Sequence, residues 1–370
     1  MGRKETVFVG TYTQPILFGT GQVLEGKGKG IYLYELDLDT GAMVQTDMAP
    51  DVLNPSYLVL SDDQRTLYVV NELKEFQGKK GGAVSAFSVS PDSKKLTFLN
   101  QQPTFGTDPC HVVISKNGSH VFVSNFMSGS ICAYPIQPDG SLGECSQFVQ
   151  HEGSSVNEKR QKSPHAHSTT FSPDGRFAFV PDLGIDKLVA YEPDYKTGSL
   201  KKAVSFSTEP GAGPRHCVFH PNGRFCYLTN ELDCTIYVLQ YTPEEGTFQK
   251  LQTVPLMQDE TFRGENSGAD IQITPDGRFL YGSNRGHNSL IGYEADEQTG
   301  LLRYVGMTDC RGGVPRNFAI DPTGAYVIVA NQDTDNMVVF SIQQDGSLDY
   351  VSETFAPTPV CVRPYLMEDR

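Results

Sequence analysis

GAGPRHCVFHPNGRFCYLTNEL, Gly211 to Leu232, is the stretch whose reading decides the fold. It runs from a glycine and proline break into an apolar strand, turns at Pro221-Asn222-Gly223, and returns through a second apolar strand that ends at Asn230. A Pro-Asn-Gly turn between two such runs is a β-hairpin signal. The same register recurs without gaps at residues 55–72, 109–126, 166–183, 268–285 and 315–332. Two half-units remain at the ends. TVFVGTY at 6–12 has only the returning strand and PVCVRPYL at 359–366 only the outgoing one, so together they complete a seventh unit.

A repeat of this kind decides the architecture before any local detail does. Each unit continues past its hairpin into a third and usually a fourth strand, separated by turns such as Asp39-Thr40-Gly41, Asp139-Gly140 and Asp345-Gly346. Four antiparallel strands, seven times over, predict an all-β, seven-bladed β-propeller. Residues 1–370 are expected to form one such domain, with the N- and C-terminal strands pairing to close the ring and leave no large open sheet edge. The chain contains no Trp, so the Trp-Asp signature of WD40 scaffolds is absent. Two segments break the repeat. Gly19 to Gly30, GTGQVLEGKGKG, is expected from its composition to be a flexible loop. The polar connection at 150–168, with HEGSSVNEKRQKSPHAHS, has a length that is uncommon unless functional.

Composition narrows the partners. The formal charge is −14 and no basic run is present, which argues against nucleic acid or an anionic membrane; no apolar run is long enough to span a bilayer. The opening MGRKETVFVG lacks the apolar stretch of a secretion signal, so a cytosolic location is expected. The eight cysteines show no CxxC pair or zinc-like spacing and read as buried free thiols. No signal for an oligomeric state stands out.

Subtracting the repeat exposes the candidate site. In a four-stranded blade the start of the first strand and the end of the second lie at one face of the ring, with the Pro-Asp-Gly turns at the other. The first ring of mouth residues reads Ser56, Cys110, His167, Arg215, Ala269, Arg316 and Val360; the second reads Tyr12, Glu72, Phe126, Leu183, Glu231, Arg285 and Gln332. Asn71, Asn125, Asn230, Asn284 and Asn331 recur at one position, with Asp182 and Thr11 as variants, and are read as structural caps on neighbouring backbone. Arg215, Glu231, Arg285, Arg316, Glu72, His165 and His167 do not repeat, and titratable outliers converging on one channel mouth point to a binding site. His165 and His167, two apart on a strand, would suit a metal pair but lack an identifiable third ligand, so no metal or other cofactor is expected. An Arg215–Glu231 pair at an open, hydrated mouth would be worth only about 0–1 kcal/mol to stability.

GAGPRHCVFHPNG, SGADIQITPDGRFLYGSNRG, VPRNFAIDPTG, SPHAHSTTFSPDG with VPDLGIDKLVAY, and the opening GTYT together resemble the propeller-type lactonases across essentially the whole chain. That family groups bacterial 6-phosphogluconolactonases with fungal carboxy-cis,cis-muconate lactonising enzymes. The resemblance implies hydrolysis of a small anionic sugar lactone in carbohydrate metabolism without a required metal. It implies a catalytic set of His167, Arg215, Arg285 and Glu231, beside which His165, Arg316 and Glu72 stand as substrate-binding candidates. Lactone hydrolysis needs a base, for which Glu231 and His167 both qualify, and cationic groups such as Arg215 and Arg285 for the substrate anion and the developing oxyanion. No Gly-x-Ser-x-Gly elbow is present, which favours direct attack by water. A muconate-type cycloisomerase would use the same groups as proton donor and anion clamps. A non-catalytic scaffold would not need convergent charge.

Overall fold

The computed structural model describes residues 3–18 and 21–367. Its strands form seven antiparallel sheets around a ring, a seven-bladed β-propeller, together with two small hairpins. In the blade built from the quoted stretch, Pro214–Phe219 is innermost, followed by Phe225–Asn230, Thr235–Thr242 and Thr247–Pro255. The turn behaves as its residues demand. His220 accepts from the Gly223 N–H at 2.8 Å, and Gly223 sits at φ +74°, where a side chain would be strained.

Closure follows the prediction. Lys4–Thr11 pairs on one side with Pro359–Tyr365 from the other end of the chain and on the other with Gly30–Asp37, so neither terminal half-unit is left with an open edge. Every second strand is nearly or wholly buried because each blade is covered on both faces. The apolar clusters accordingly straddle blades: Tyr227, Ile236 and Val238 of one pack with Ile271, Leu280 and Ile291 of the next. Each such side chain contributes about 1.5–3 kcal/mol through its burial. The repeating asparagines act as caps, with Nδ2 of Asn71, Asn284 and Asn331 donating to the carbonyls of Leu53, Leu256 and Cys310.

Two expectations need correction. His165 and His167 do not lie on a strand: in their blade the innermost strand shortens to Thr170–Phe171, and only the Ala166–Asp182 bridge extends it. Asp182 stands here where most other units have Asn. Its carboxylate accepts from His151 Nδ1 at 2.6 Å, the His165 N–H at 2.7 Å and the Gly184 N–H at 3.0 Å, so side-chain bonds anchor this stretch beside two remaining backbone bonds, Leu183 N–H to the His165 carbonyl and His167 N–H to the Pro181 carbonyl, each 3.0 Å. Nor is the glycine-rich insertion merely a free loop in its described part. Val23–Leu24 pairs with Ile16–Leu17, the Gly28 N–H donates to the Tyr12 carbonyl, and Lys27 pairs with Asp335 at 2.5 Å; Gly19 and Thr20 lie outside the described residues. Gly28 has a close-packing reason to be glycine, since a Cβ there would fall 2.1 Å from the Thr11 hydroxyl.

Candidate active site at the channel mouth

The first ring is aimed by a recurring backbone irregularity. Pro55 pairs with Asn71 and then Tyr57 with Val70, which leaves Ser56 as an extra, unpaired residue; the same slip isolates Cys110, Arg215 and Arg316. A β-bulge bends its strand and redirects the bulged side chain. Ser56, Cys110, His167, Arg215, Arg316 and Val360 therefore line one pocket on the ring axis, joined by Glu72 from the second ring.

The site is buried, which corrects the expectation of a hydrated mouth. Arg215 is 2% exposed and Glu231 3%. Glu231 is gripped by three guanidinium groups: Oε1 accepts from Arg160 Nη2 at 2.6 Å, while Oε2 lies 2.9 Å from Arg285 Nη2 and 3.1 Å from Arg215 Nε. The last is an ion pair too poorly angled to count as a hydrogen bond. Burial by itself would raise the Glu231 carboxyl, but Arg285, Arg160 and Arg215 outweigh it and hold the group far below the usual carboxylate range. With both oxygens engaged by guanidinium groups, this carboxylate serves as their counter-ion. Burial and the neighbouring Arg285 push Arg215 down to about 10, so it remains charged at neutral pH.

Arg316 differs from the other arginines. Among the described residues no carboxylate lies within ion-pairing distance of it, and its guanidinium faces the rings of Tyr12 and Phe18 at 5.7 and 5.4 Å. Phe18 comes from the segment that carries the insertion. Glu72 accepts from the Tyr12 hydroxyl at 3.0 Å and is 5% exposed. The pocket and its rim thus hold Arg160, Arg215, Arg285 and Arg316 against Glu72 and Glu231, an excess of cationic charge inside a chain of net charge −14.

His167 is neutral in this setting. Burial, reinforced by Arg215, His216 and Arg316, places its pKa well below the ordinary histidine value. Its Nδ1 lies 3.2 Å from His216 Nε2, and the Cys110 thiol donates to its carbonyl at 3.1 Å. His165 stands apart from the pocket lining: it stacks on Phe126 with ring centroids 4.7 Å apart, and its Nδ1 lies 3.0 Å from the Phe126 carbonyl. Among the described residues no group of three or more His, Cys, Asp or Glu is placed to hold a metal.

Arg160 is absent from the sequence-derived set. It comes from the 150–168 connection, whose length was informative, but nothing distinguishes Arg160 from Lys159 or Lys162 before folding. His216, Asp270 and Asn317 are also absent from that set. They immediately follow the bulge, one step deeper in the channel, at a position that reads Tyr57, His111, Ser168, His216, Asp270, Asn317 and Cys361 and repeats no better than the first ring. Subtracting the repeat at one further position would have found them.

A ring-closed seven-bladed propeller with guanidinium groups and a neutral histidine at its mouth matches the family model described as Lactonase, 7-bladed beta-propeller, over residues 6–364. The chain belongs to that family, and with it to the lactonases among the carboxylic ester hydrolases. It is 36% identical to the 6-phosphogluconolactonase of Bacillus subtilis, covering 96% of this chain and 97% of the relative. It is 31% identical to the 6-phosphogluconolactonase of Formosa agariphila, with 90% and 91% covered. The solved structure of the periplasmic gluconolactonase of Pseudomonas aeruginosa superposes with a TM-score of 0.90 at 34% identity, covering 99% and 100% of the two chains.

Proposed function

We propose that this protein hydrolyses 6-phosphogluconolactone to 6-phosphogluconate by direct attack of water, with His167 as the base. The observation that carries the proposal is the cationic excess around a neutral histidine, above all the guanidinium of Arg316, which has no carboxylate within ion-pairing distance among the described residues. A phosphate dianion supplies the charge this pocket lacks, and arginine holds it through paired charge-assisted hydrogen bonds. Arg215 sits in the pocket with one arm committed to Glu231 and Nη1 donating to the Ala269 carbonyl at 2.6 Å. Its remaining N–H groups stabilise the oxyanion that forms when water adds to the lactone carbonyl. Glu231 acts as the counter-ion that holds Arg160, Arg215 and Arg285 in place, and His165 supports His167 through their shared neighbour Phe126. Catalysis needs no metal in this scheme, because arginine supplies the positive charge. The proposal includes a cytosolic location, where phosphorylated sugars are retained; cell fractionation tests it.

The relative named as a periplasmic gluconolactonase supports a second reading, in which the substrate carries no phosphate. Comparing kcat/KM for 6-phosphogluconolactone and unphosphorylated gluconolactone, each above its spontaneous hydrolysis, separates the two. Arg316→Met should cost the phosphorylated substrate roughly 10- to 100-fold, as expected for losing charged hydrogen bonds of about 1.5–3 kcal/mol, and leave the unphosphorylated one nearly unchanged. Equal losses on both would remove Arg316 from the phosphate site. Assay with carboxymuconolactone tests the cycloisomerase alternative on the same preparation.

A further inference from the structure

We infer that His216, backed by Asp270, receives the proton that His167 takes from the attacking water, holds it, and returns it to the departing ring oxygen of the lactone. This inference rests on the hydrolytic reading above. The four groups form one continuous chain across four blades. His167 Nδ1 lies 3.2 Å from His216 Nε2, His216 Nδ1 lies 2.9 Å from Asp270 Oδ1, and Asp270 Oδ2 accepts from Asn317 Nδ2 at 2.5 Å. Asn317 is itself fixed, because its Oδ1 accepts from the Val362 N–H at 2.7 Å on the closing strand. Asp270 also accepts from the Ile271 N–H at 2.9 Å. His216 is 6% exposed, and Asp270 is fully buried.

This geometry sets the tautomers. Although burial opposes it, His216 and Arg363 hold the Asp270 carboxyl down at about 2, so it is an acceptor only. His216 must then carry its hydrogen on Nδ1, leaving Nε2 to accept from His167 Nδ1–H. The Nε2 lone pair of His167 is left free to accept a proton from water. Once it does, His167 is a buried imidazolium close to Arg215, Arg316 and Arg285, which oppose that charge. Moving the Nδ1 proton to His216 Nε2 transfers the positive charge to a ring that touches a carboxylate. Burial, the adjacent Arg215 and Arg363 oppose a charge on His216, and the Asp270 carboxylate favours it. His111 lies with its ring centroid 5.7 Å away and is held neutral by burial, Tyr57 lies at 6.2 Å, Arg215 precedes it on its own strand, and Arg363 stacks on Tyr57 at 4.4 Å.

The proton balance closes within one turnover. Water loses a proton to His167 Nε2 as its oxygen bonds to the lactone carbon, and His167 Nδ1 passes a proton to His216. When the tetrahedral intermediate collapses and the carbon–ring oxygen bond breaks, the transfers reverse and His167 Nε2–H protonates the leaving alkoxide. The product acid then ionises to bulk water. His216 thus acts through His167, as a positioning and proton-holding residue that does not touch the substrate.

The test uses purified full-length protein with 6-phosphogluconolactone. His216→Gln, which keeps hydrogen-bonding capacity but cannot take a proton, should lower kcat about 10²- to 10³-fold with KM within a few-fold, the range spanned by general acid–base steps. Asp270→Asn should lower kcat and also move the acid limb of the kcat/KM profile to lower pH, because the carboxylate that favours the protonated pair is gone. A purely structural role would lower the yield of folded enzyme without moving that limb. The proton inventory in mixed light and heavy water should be bowed for the parent protein and straight for His216→Gln. Failure of the parent protein to hydrolyse the lactone would sink the hydrolytic reading. With parent activity present, a His216→Gln variant that keeps a third or more of kcat, or an Asp270→Asn acid limb that stays in place, overturns the relay. If His216→Gln does not fold, the Asp270→Asn profile decides alone.

Discussion

Replacing Glu231 by Gln removes one negative charge from the centre of three positive ones. The parent carboxylate is 3% exposed and meets Arg160, Arg285 and Arg215 at 2.6, 2.9 and 3.1 Å, and none of these arginines has another carboxylate partner among the described residues. Breaking a buried pair by removing one partner costs about 3–5 kcal/mol, because the remaining charge is left uncompensated. The three contacts do not add. Arg160 is 20% exposed at its side chain, so its arm is screened, and Arg215 and Arg285 keep backbone acceptors at Ala269 and Gly268. The expected loss for Glu231→Gln is therefore about 3–5 kcal/mol in total, read by urea unfolding at low salt. Turnover should fall roughly 10²-fold as Arg215 loses its fixed position. Inorganic phosphate should recover part of the lost stability, since an anion that binds only the folded state contributes about 2.7 kcal/mol at a hundredfold excess over its Kd. An unfolding midpoint and turnover both equal to the parent's would show that Glu231 is not the counter-ion of this cluster.

Three further outcomes are expected. Truncation before Thr358 removes the strand Pro359–Tyr365 that pairs with Lys4–Thr11, and should lower the melting temperature of the whole ring; a truncated chain that melts like the intact one would contradict the closure. Exhaustive chelation should leave the hydrolysis rate unchanged, and activity lost to the chelator and restored by one particular divalent ion would replace the arginine scheme with a metal-assisted one. Glu5 is 1% exposed, and burial with the adjacent Asp321 raises its carboxyl to about 8. The folded state then keeps a proton that the unfolded chain releases near pH 4.3, so this contribution is full below that pH and is lost as pH rises to about 8. Glu5→Gln should flatten the fall in melting temperature between pH 5 and 8, and parallel curves for variant and parent would refute the assignment.

The hairpin register, the turns and the two terminal half-units were legible in the chain because they depend on neighbours in sequence: alternating apolar residues, Pro-Asn-Gly chemistry and a repeated asparagine. The convergence of Arg215, Arg285, Arg316, Glu72, Glu231 and His167 on one mouth followed from the same register. Tertiary structure alone decided what those residues are chemically. The bulges that turn Ser56, Cys110, Arg215 and Arg316 inward are slips between paired strands and leave no mark in composition. Desolvation arises only when blades close around the axis, and it converts a presumed surface ion pair into a buried carboxylate held by three arginines, one of them from a connecting loop. His216 meets His167 across 49 residues of chain and Asp270 across 54, so their contact is a property of adjacent blades. Local periodicity determines the blade; the distance between blades determines which residue can hold a proton.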